Sequence, residues 1–320
     1  MTASLPSTVQ AVFDRFVTTE LTTVDRHGQP ITWPVTPYYQ FGAACVDVTT
    51  GLGYPKKAND ARSNPLVALL FSDPTGSGLE RPPMVLVQGM ADVDDRDLDA
   101  NRERYARESV EKLPATAKLL PPEPLRRFLP WYFTRIYIHV RPERVYVWPE
   151  GDPGREPELF GSHMDEVRSC HSEQPDRFHA DPRGGLSSWD RRIAELGTAI
   201  RTAVLSIVCP DGFPFAVRLP VRVDAAERWI RIEGELVGAP LQPGLACLTA
   251  HAHEERFGWQ RNFQVRGDLV QRDGGWVLVP RRFIGGFEAP PSRAAMLRAN
   301  AVKAWRFRKT AKRELARRSP

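Results

Sequence analysis

The sequence predicts a mainly β protein with a few helices, an α+β chain built as two tandem barrel domains. Three observations carry this expectation. Short runs rich in Val, Leu and Phe recur between Gly, Pro and Asp turns, the pattern of an antiparallel meander or barrel. The spacing of strands and turns in the first half returns in the second. The chain, at 320 residues, is long enough for two domains that each bury a core of ordinary size.

Taken in order, residues 7–20 read as a short helix with Ser7 or Thr8 as its cap. Strands follow at Leu21–Val24, Ile31–Val35, Ala44–Val48, Val67–Phe71 and Val85–Val93, with a short helix at Lys57–Ser63 between the third and fourth. Asp97–Lys118 is charged and Ala-containing, and reads as a second helix. Trp131–Val140 alternates as a strand, and Pro142–Trp148 closes the first domain. Residues 149–188 are rich in Pro, Gly and acids and read as a linker with irregular structure. A helix over Ser188–Arg201 then leads into the second half. The expected domains are residues 1–150, a linker over 151–190, a second barrel over 191–290 and a basic helix over 291–320.

The repeat is numerical. Gly28 to Val46 is 18 residues, and so is Gly212 to Ile230. Pro65 to Gly89 is 24, and so is Pro243 to Gly267. The closing Pro142-Glu143-Arg144-Val145 matches Pro280-Arg281-Arg282-Phe283. One interval differs: Val46 to Pro65 is 19 residues, whereas Ile230 to Pro243 is 13. The six extra residues fall within Thr49–Asn59.

Charge is concentrated at one end. The whole chain carries +5, but Ser292–Pro320 holds ten Lys or Arg against Glu314 alone, so the body is mildly acidic. This argues against a general nucleic-acid binder, which would spread cations along a face. The tail has Leu297, Ala301, Ala304, Trp305, Ala311 and Leu315 near one helical face, the pattern of a helix packed on the body with a solvated basic side. Cys45, Cys170, Cys209 and Cys247 form no Cys-x-x-Cys pair, three of them sit in apolar runs, and buried thiols of a cytoplasmic protein are the expectation. No apolar run reaches the length of a membrane span, and the N-terminus lacks the pattern of a signal peptide.

The extra segment, Thr49-Thr50-Gly51-Leu52-Gly53-Tyr54-Pro55-Lys56-Lys57-Ala58-Asn59, has the makings of an anion site. Hydroxyls can donate hydrogen bonds, lysines add positive charge, and the N–H groups of a helix start favour a negative group. A solvated loop would also carry exposed lysines. A loop required by the fold alone, however, would be expected in both halves, and the second half has Glu233–Gly238 with no cation.

The run from Val46 to Phe71, with Thr49, Thr50, Lys57 and Asn64-Pro65, followed by Val85-Leu86-Val87-Gln88-Gly89, resembles the pyridoxamine 5′-phosphate oxidase-like family. The resemblance covers about residues 8–148, and residues 195–290 resemble the same barrel without the phosphate loop. It implies two tandem split β-barrel domains, FMN or F420 as cofactor, and oxidation or reduction of a small organic substrate. Lys57 matches the family's phosphate contact, with Lys56 beside it. Thr49 and Thr50 match the hydroxyl position, and Asn59 and Gln88 fall close to the same site. Trp33, Pro34, Val35 and Thr36 lie on the strand that faces the isoalloxazine ring. Thr32 and Thr36 stand where the oxidase itself has Arg and Lys, so pyridoxamine phosphate is not implied as substrate.

Barrels of this family usually pair as homodimers with the cofactor in the seam. A doubled chain is therefore expected to build an internal pseudo-dimer, itself a monomer or a homodimer. It would hold one cofactor between the barrels, with Trp259, Arg261 and Asn262 on the facing wall. Hydride chemistry belongs to such a cofactor, so no catalytic acid or base is assigned. The competing expectation is a non-catalytic flavin or haem carrier or sensor. His163, His171 and His179 lie beside Cys170 and Asp165, but their spacing is not that of a zinc site, and no metal is expected. His251 and His253 share one face of a strand, suited to a metal, to the seam, or to a polar strand end.

Overall fold

A computed structural model describes residues 5–114, 117, 122, 126, 130–161, 191–255, 260–287 and 293–318. The first half forms one sheet of eight strands: β1 (Thr19–Val24), β2 (Pro30–Val35), β3 (Pro37–Tyr38), β4 (Val46–Gly51), β5 (Leu66–Phe71), β6 (Met84–Asp94), β7 (Arg135–Trp148) and β8 (Glu158–Gly161). Their order is β2-β1-β5-β6-β7-β4-β3, with β8 added on β7. Only Thr36 separates β2 from β3, yet β2 pairs with β1 at one end of the sheet and β3 with β4 at the other. The chain itself thus bends the sheet round, and the barrel is split at Thr36.

The second half is a closed barrel of β9 (Thr202–Val208), β10 (Pro214–Asp224), β11 (Trp229–Ile232), β12 (Gly244–His253), β13 (Gln260–Arg272) and β14 (Gly275–Gly285). Here one uninterrupted strand, β10, pairs with both β9 and β11. Strand for strand, the order β10-β9-β12-β13-β14-β11 repeats β2-β1-β5-β6-β7-β4. The bulges repeat too. Register shifts at Gln88/Gly89 opposite Pro142, and at Arg266/Gly267 opposite Pro280. A Cβ on Gly89 would strike the Arg141 carbonyl, and one on Gly267 the Val279 carbonyl. Only glycine allows the backbone so close.

Alternation along the strands explains how the halves join. Val67, Leu69 and Phe71 of β5, Val85 and Val87 of β6, and Val145 and Val147 of β7 point into the first barrel's core. Their neighbours Ala68, Leu70, Met84, Leu86, Tyr146 and Trp148 point the other way, into one core with Phe215, Leu205 and Leu248 of the second barrel. These strands are apolar on both faces because both faces are buried.

Polar groups lock the seam. Thr32 Oγ1 lies 2.5 Å from Ser206 Oγ, and its carbonyl accepts from Thr249 Oγ1 at 2.9 Å and from Gln264 Nε2. Glu20, fully buried, meets His251 Nε2 at 2.5 Å, Arg218 Nη2 at 3.0 Å and the Ser72 hydroxyl at 2.9 Å. His253 Nε2 lies 3.1 Å from Thr18 Oγ1. Of the three settings open to these histidines, the seam is where they lie.

Helices close the ends. α1 (Ser7–Arg15) packs Val9, Val12 and Phe13 into the first core. It starts after Pro6, with no side-chain cap from Ser7 or Thr8, and stops short of residue 20 because residues 19–20 join β1. α2 (Lys56–Ser63) buries Ala58 and Ala61 in the same core. α3 (Leu98–Lys112) is capped by Asp97, whose carboxylate accepts from Asp99 N and Ala100 N. α4 (Pro130–Phe133) takes residues expected to begin a strand, and β7 runs through Pro142 without a break. Among the described residues before β9 there is a short 3-10 turn at Ile193–Glu195 rather than a helix over Ser188–Arg201, and Gly197 ends it at φ +81°. α5 (Arg293–Arg318) is the tail. Its packed side carries Phe307, Ala311 and Glu314, while Trp305 is 68% exposed and is not part of the stripe. No helix among the described residues is long and apolar enough to cross a membrane.

Candidate functional site

The loop between β4 and α2 spends its backbone on packing. Leu52 N donates to Thr134 O, Gly53 N to Trp131 O and Tyr54 N to Gly51 O, at 3.0–3.2 Å. The glycines serve this approach: a Cβ on Gly51 would lie 2.9 Å from the Trp131 carbonyl, and one on Gly53 2.7 Å from Phe307 Cβ. Thr50 is buried and its hydroxyl donates to Tyr54 O at 2.9 Å, so it holds the turn rather than a ligand. Thr49 is the half-buried member of the pair, opposite Tyr137 on β7. The N–H groups of Leu52, Gly53 and Tyr54 and the Thr50 hydroxyl proton are thus given to the protein's own carbonyls.

Lys56 and Lys57 diverge. Lys56 is 55% exposed and forms an i,i+4 ion pair with Asp60 at 2.9 Å. Asp60 also feels Arg266 of the second barrel, and burial raises its pKa. Lys57 turns inward, its Nζ 5.4 Å from the Tyr54 ring centre. No carboxylate pairs with it among the described residues. Burial, with the Arg135 charge nearby, pushes its pKa down to about 8.

Arg135, the first residue of β7, is only 6% exposed. Its Nη1 donates to Tyr54 OH at 3.2 Å and its Nη2 to Tyr105 OH at 2.6 Å, and its guanidinium stacks on Tyr105 and Tyr132. Its Nε is buried without a hydrogen-bond partner, as is Trp131 Nε1. Again no carboxylate faces it among the described residues. Two cations, one buried and one half-buried, thus stand together among the tyrosines 54, 105 and 132. Burial holds the Tyr38, Tyr54 and Tyr105 pKa values up, so the phenols keep their protons. The first turn of α2 adds free N–H groups, since Pro55 supplies no cap and the turn has no acid.

Phe307 of α5 covers this chamber. Its ring stacks on Trp131 at 5.7 Å and meets the Tyr54 edge at 5.3 Å. Arg318 fastens the helix end to Asp95 at 2.8 Å and to Glu314 at 2.5 Å. The side chains named around Lys57 come from the first barrel and α5.

The remaining expected residues separate into two groups. Trp33, Pro34 and Val35 are half-buried on β2, the end strand of its sheet, and Trp33 lies against Gly286. Tyr38, two residues past Thr36, feels the Arg135 charge, so this end of β2 adjoins the chamber. The others are committed elsewhere. Gln88 donates to Pro214 O at 3.0 Å across the seam. Arg261 pairs with Glu195 at 2.5 Å. Asn262 Oδ1 accepts from Phe287 N at 3.0 Å and fixes the end of β14. Asn59 Oδ1 accepts from Arg62 at 3.3 Å, within its own helix. Trp259 lies outside the described residues, as do His163, His171, His179, Cys170 and Asp165.

Sequence reasoning missed Arg135, Tyr105, Trp131 and Phe307. A signal existed for Arg135: it stands seven residues before Pro142, and Asp273 stands seven before Pro280. The halves thus carry opposite charges at one matched position.

Two cavities lie elsewhere. One, about 710 Å³, opens between α1, β3 and α3 and is lined by Tyr38, Asp47, Arg104 and Glu108. Asp47 there pairs with His139 Nδ1 at 2.7 Å and with Arg104, and these partners hold its pKa down although burial opposes them. The other, about 370 Å³, opens at the seam beside Asp73, Arg218 and His251. Neither is lined by the Lys57 loop. Among the described residues, no cluster of His, Cys, Asp and Glu could hold a metal ion.

Fold and site together define a protein of two β-barrels in which, among the described residues, two inward-turned cations, Lys57 and Arg135, stand together in the first. No family model and no curated protein matches the sequence. Solved structures align with part of the chain. A putative pyridoxamine 5′-phosphate oxidase from Listeria innocua is 16% identical, covering 44% of this chain and 95% of its own, at a TM-score of 0.32. A structure described as an F420 reductase is 20% identical over 42% of this chain and 94% of its own, at 0.32. General Stress Protein 26 from Bacillus anthracis is 18% identical over 50% and 99%, at 0.33.

Proposed function

We propose that this chain is an FMN- or F420-dependent oxidoreductase acting on a small organic substrate, with one cofactor per chain. The supporting observation is the pair Lys57 and Arg135, two cations that no described carboxylate neutralises, at the loop that only the first half possesses. A buried positive charge without a partner is costly, and an anion is the natural compensation. The residues present fit a negatively charged cofactor head: Lys57 and Arg135 supply charge, and Tyr54 supplies a hydroxyl. The half-buried backbone of Trp33–Thr36, adjoining the chamber, is the surface left for a flat ring.

A flavin or deazaflavin, when bound, supplies hydride transfer from its own ring. This chain's part is to hold the head, orient the ring and exclude water. A haem carrier is less well supported, because His251 and His253 are occupied by Glu20 and Thr18 in the seam. Mass spectrometry of the ligand released from natively purified protein tests the proposal. FMN or F420 at one per chain is the expected result. Haem, or two flavins per chain, would overturn it.

A further inference from the structure

Helix α5 has two opposed faces. Phe307, Ala311, Glu314 and Arg318, three or four residues apart, lie on its inner side. Ala311 is buried, Phe307 stacks on Trp131, and Arg318 pairs with Asp95 at 2.8 Å, so that side is committed to the body. At about 100° per residue, Val302, Trp305, Arg306, Lys309, Lys312 and Arg313 fall on the opposite arc. All six are exposed. We infer that this outer face docks on a membrane surface rich in anionic phospholipid, with Val302 and Trp305 entering the headgroup layer and the four cations lying among its charges. The inference stands apart from the cofactor proposal.

Charge is the first argument. Ser292–Pro320 holds ten Lys or Arg and one acid, while the rest of the chain is mildly acidic. Cations kept for the fold would be expected to meet that acidity. Arg318 does so at Asp95, and Glu314 is taken by Arg317 and Arg318. Among the described residues, Arg306, Lys309, Lys312 and Arg313 form no ion pair with a carboxylate. Each such cation is worth about fivefold in partition near an anionic lipid surface. The same field would turn the acidic body away and leave α5 facing the lipid.

The second argument is apolar. Trp305 is 68% exposed and Val302 60%, about one helical turn apart on the basic face. Lys309 Nζ stands 6.0 Å from the Trp305 ring centre, so ring and charge share one spot. The headgroup region takes both, an indole at the level of the headgroups and a cation beside their phosphates. The phosphates of RNA or DNA would satisfy the cations but would give Val302 no apolar ground. From Val302 to Arg313 the face runs about 17 Å along one helix, so a flat surface can meet all six side chains together.

Co-sedimentation of the full chain with phosphatidylcholine vesicles, with and without about one-third phosphatidylserine, tests the docking. At about 0.1 M salt, binding to the anionic vesicles should exceed binding to the neutral ones by at least about tenfold, and about 0.5 M salt should remove most of it. Arg306→Gln, Lys309→Gln, Lys312→Gln and Arg313→Gln together should lower binding to the anionic vesicles by at least about tenfold. Trp305→Ala should lower it by about threefold or more. Every changed side chain is exposed, so folding is not at stake. Equal binding to neutral and anionic vesicles, or undiminished binding in the fourfold variant, would overturn the inference. Trp305→Ala without effect would overturn the entry of the apolar pair into the headgroup layer. Tighter binding in the same salt to duplex DNA or single-stranded RNA than to the anionic vesicles would make the face a nucleic-acid contact instead.

Discussion

The two barrels share a frame and differ at one end. In the first, the segment after β4 forms α2, with Lys57 turned toward Arg135 and the tyrosines. In the second, the segment after β11 forms no helix, and Leu236, Ala239 and Leu241 pack against the seam core instead. Glu233 pairs outward with Arg222 at 2.6 Å, and Val237 N donates to Pro153 O. The same contrast recurs where β7 and β14 begin. Arg135 enters β7 from α4, buried among aromatics, whereas Asp273 sits in a two-strand turn at φ +51° and is 78% exposed. Both barrels need a plug at this end. Both use apolar side chains, Ala58 and Ala61 of α2 in the first and Leu236, Ala239 and Leu241 in the second, and the first adds the cations Lys57 and Arg135.

Three experiments break or sharpen this comparison. The largest effect belongs to the seam, where the halves depend on each other. Glu20→Ala leaves Arg218 and His251 buried without their carboxylate and should cost about 3–5 kcal/mol in denaturant unfolding. A loss below about 1 kcal/mol would show the barrels to be independently stable. Next come the matched bulges. Gly89→Ala and Gly267→Ala should each cost about 3 kcal/mol, because backbone carbonyls cannot yield as side chains can. Losses differing by more than about twofold would argue that the shared frame is superficial.

The smallest effect is a pH dependence confined to the first barrel. Lys57 has its folded pKa, about 8, below the usual lysine value. In the free protein, stability from this group therefore rises as pH climbs from about 8 toward the lysine value in the unfolded chain. A bound anion favours the charged lysine, so FMN binding near pH 8.5 should take up a proton, about half or more per site. Calorimetry in two buffers of different ionisation enthalpy measures it. Lys57→Met should remove the uptake, and a persistent uptake in that variant would place the titrating group elsewhere.

Much of the frame was legible in the sequence because turns and apolar runs are local. The strand intervals around Gly28, Pro65, Gly212 and Pro243 report pairing that the sheets reproduce. The unbroken apolar runs of β5 and β6 held an unused signal for the seam, since a strand with one wet face alternates and these do not. The site was legible only in part. Lys57 stood out because its loop has no counterpart. Thr50 misled, because composition cannot show that a hydroxyl is already bonded to Tyr54 O. Gly51 and Gly53 misled in the same way: a glycine signals close approach, but not of what. Arg135 and Phe307 reach Lys57 across 78 and 250 residues, distances at which no local pattern operates. Gln88, Arg261 and Asn262 each bond a backbone group or an ion-pair partner, contacts that the sequence does not display.

The Glu20–His251 contact unites surfaces carried on one polypeptide. Two separate subunits would find each other at a rate set by their abundance and part on dilution. Here the effective concentration of one face at the other is fixed by the chain, so their meeting is a first-order event. The joining of the two barrels through this contact should accordingly not change on dilution.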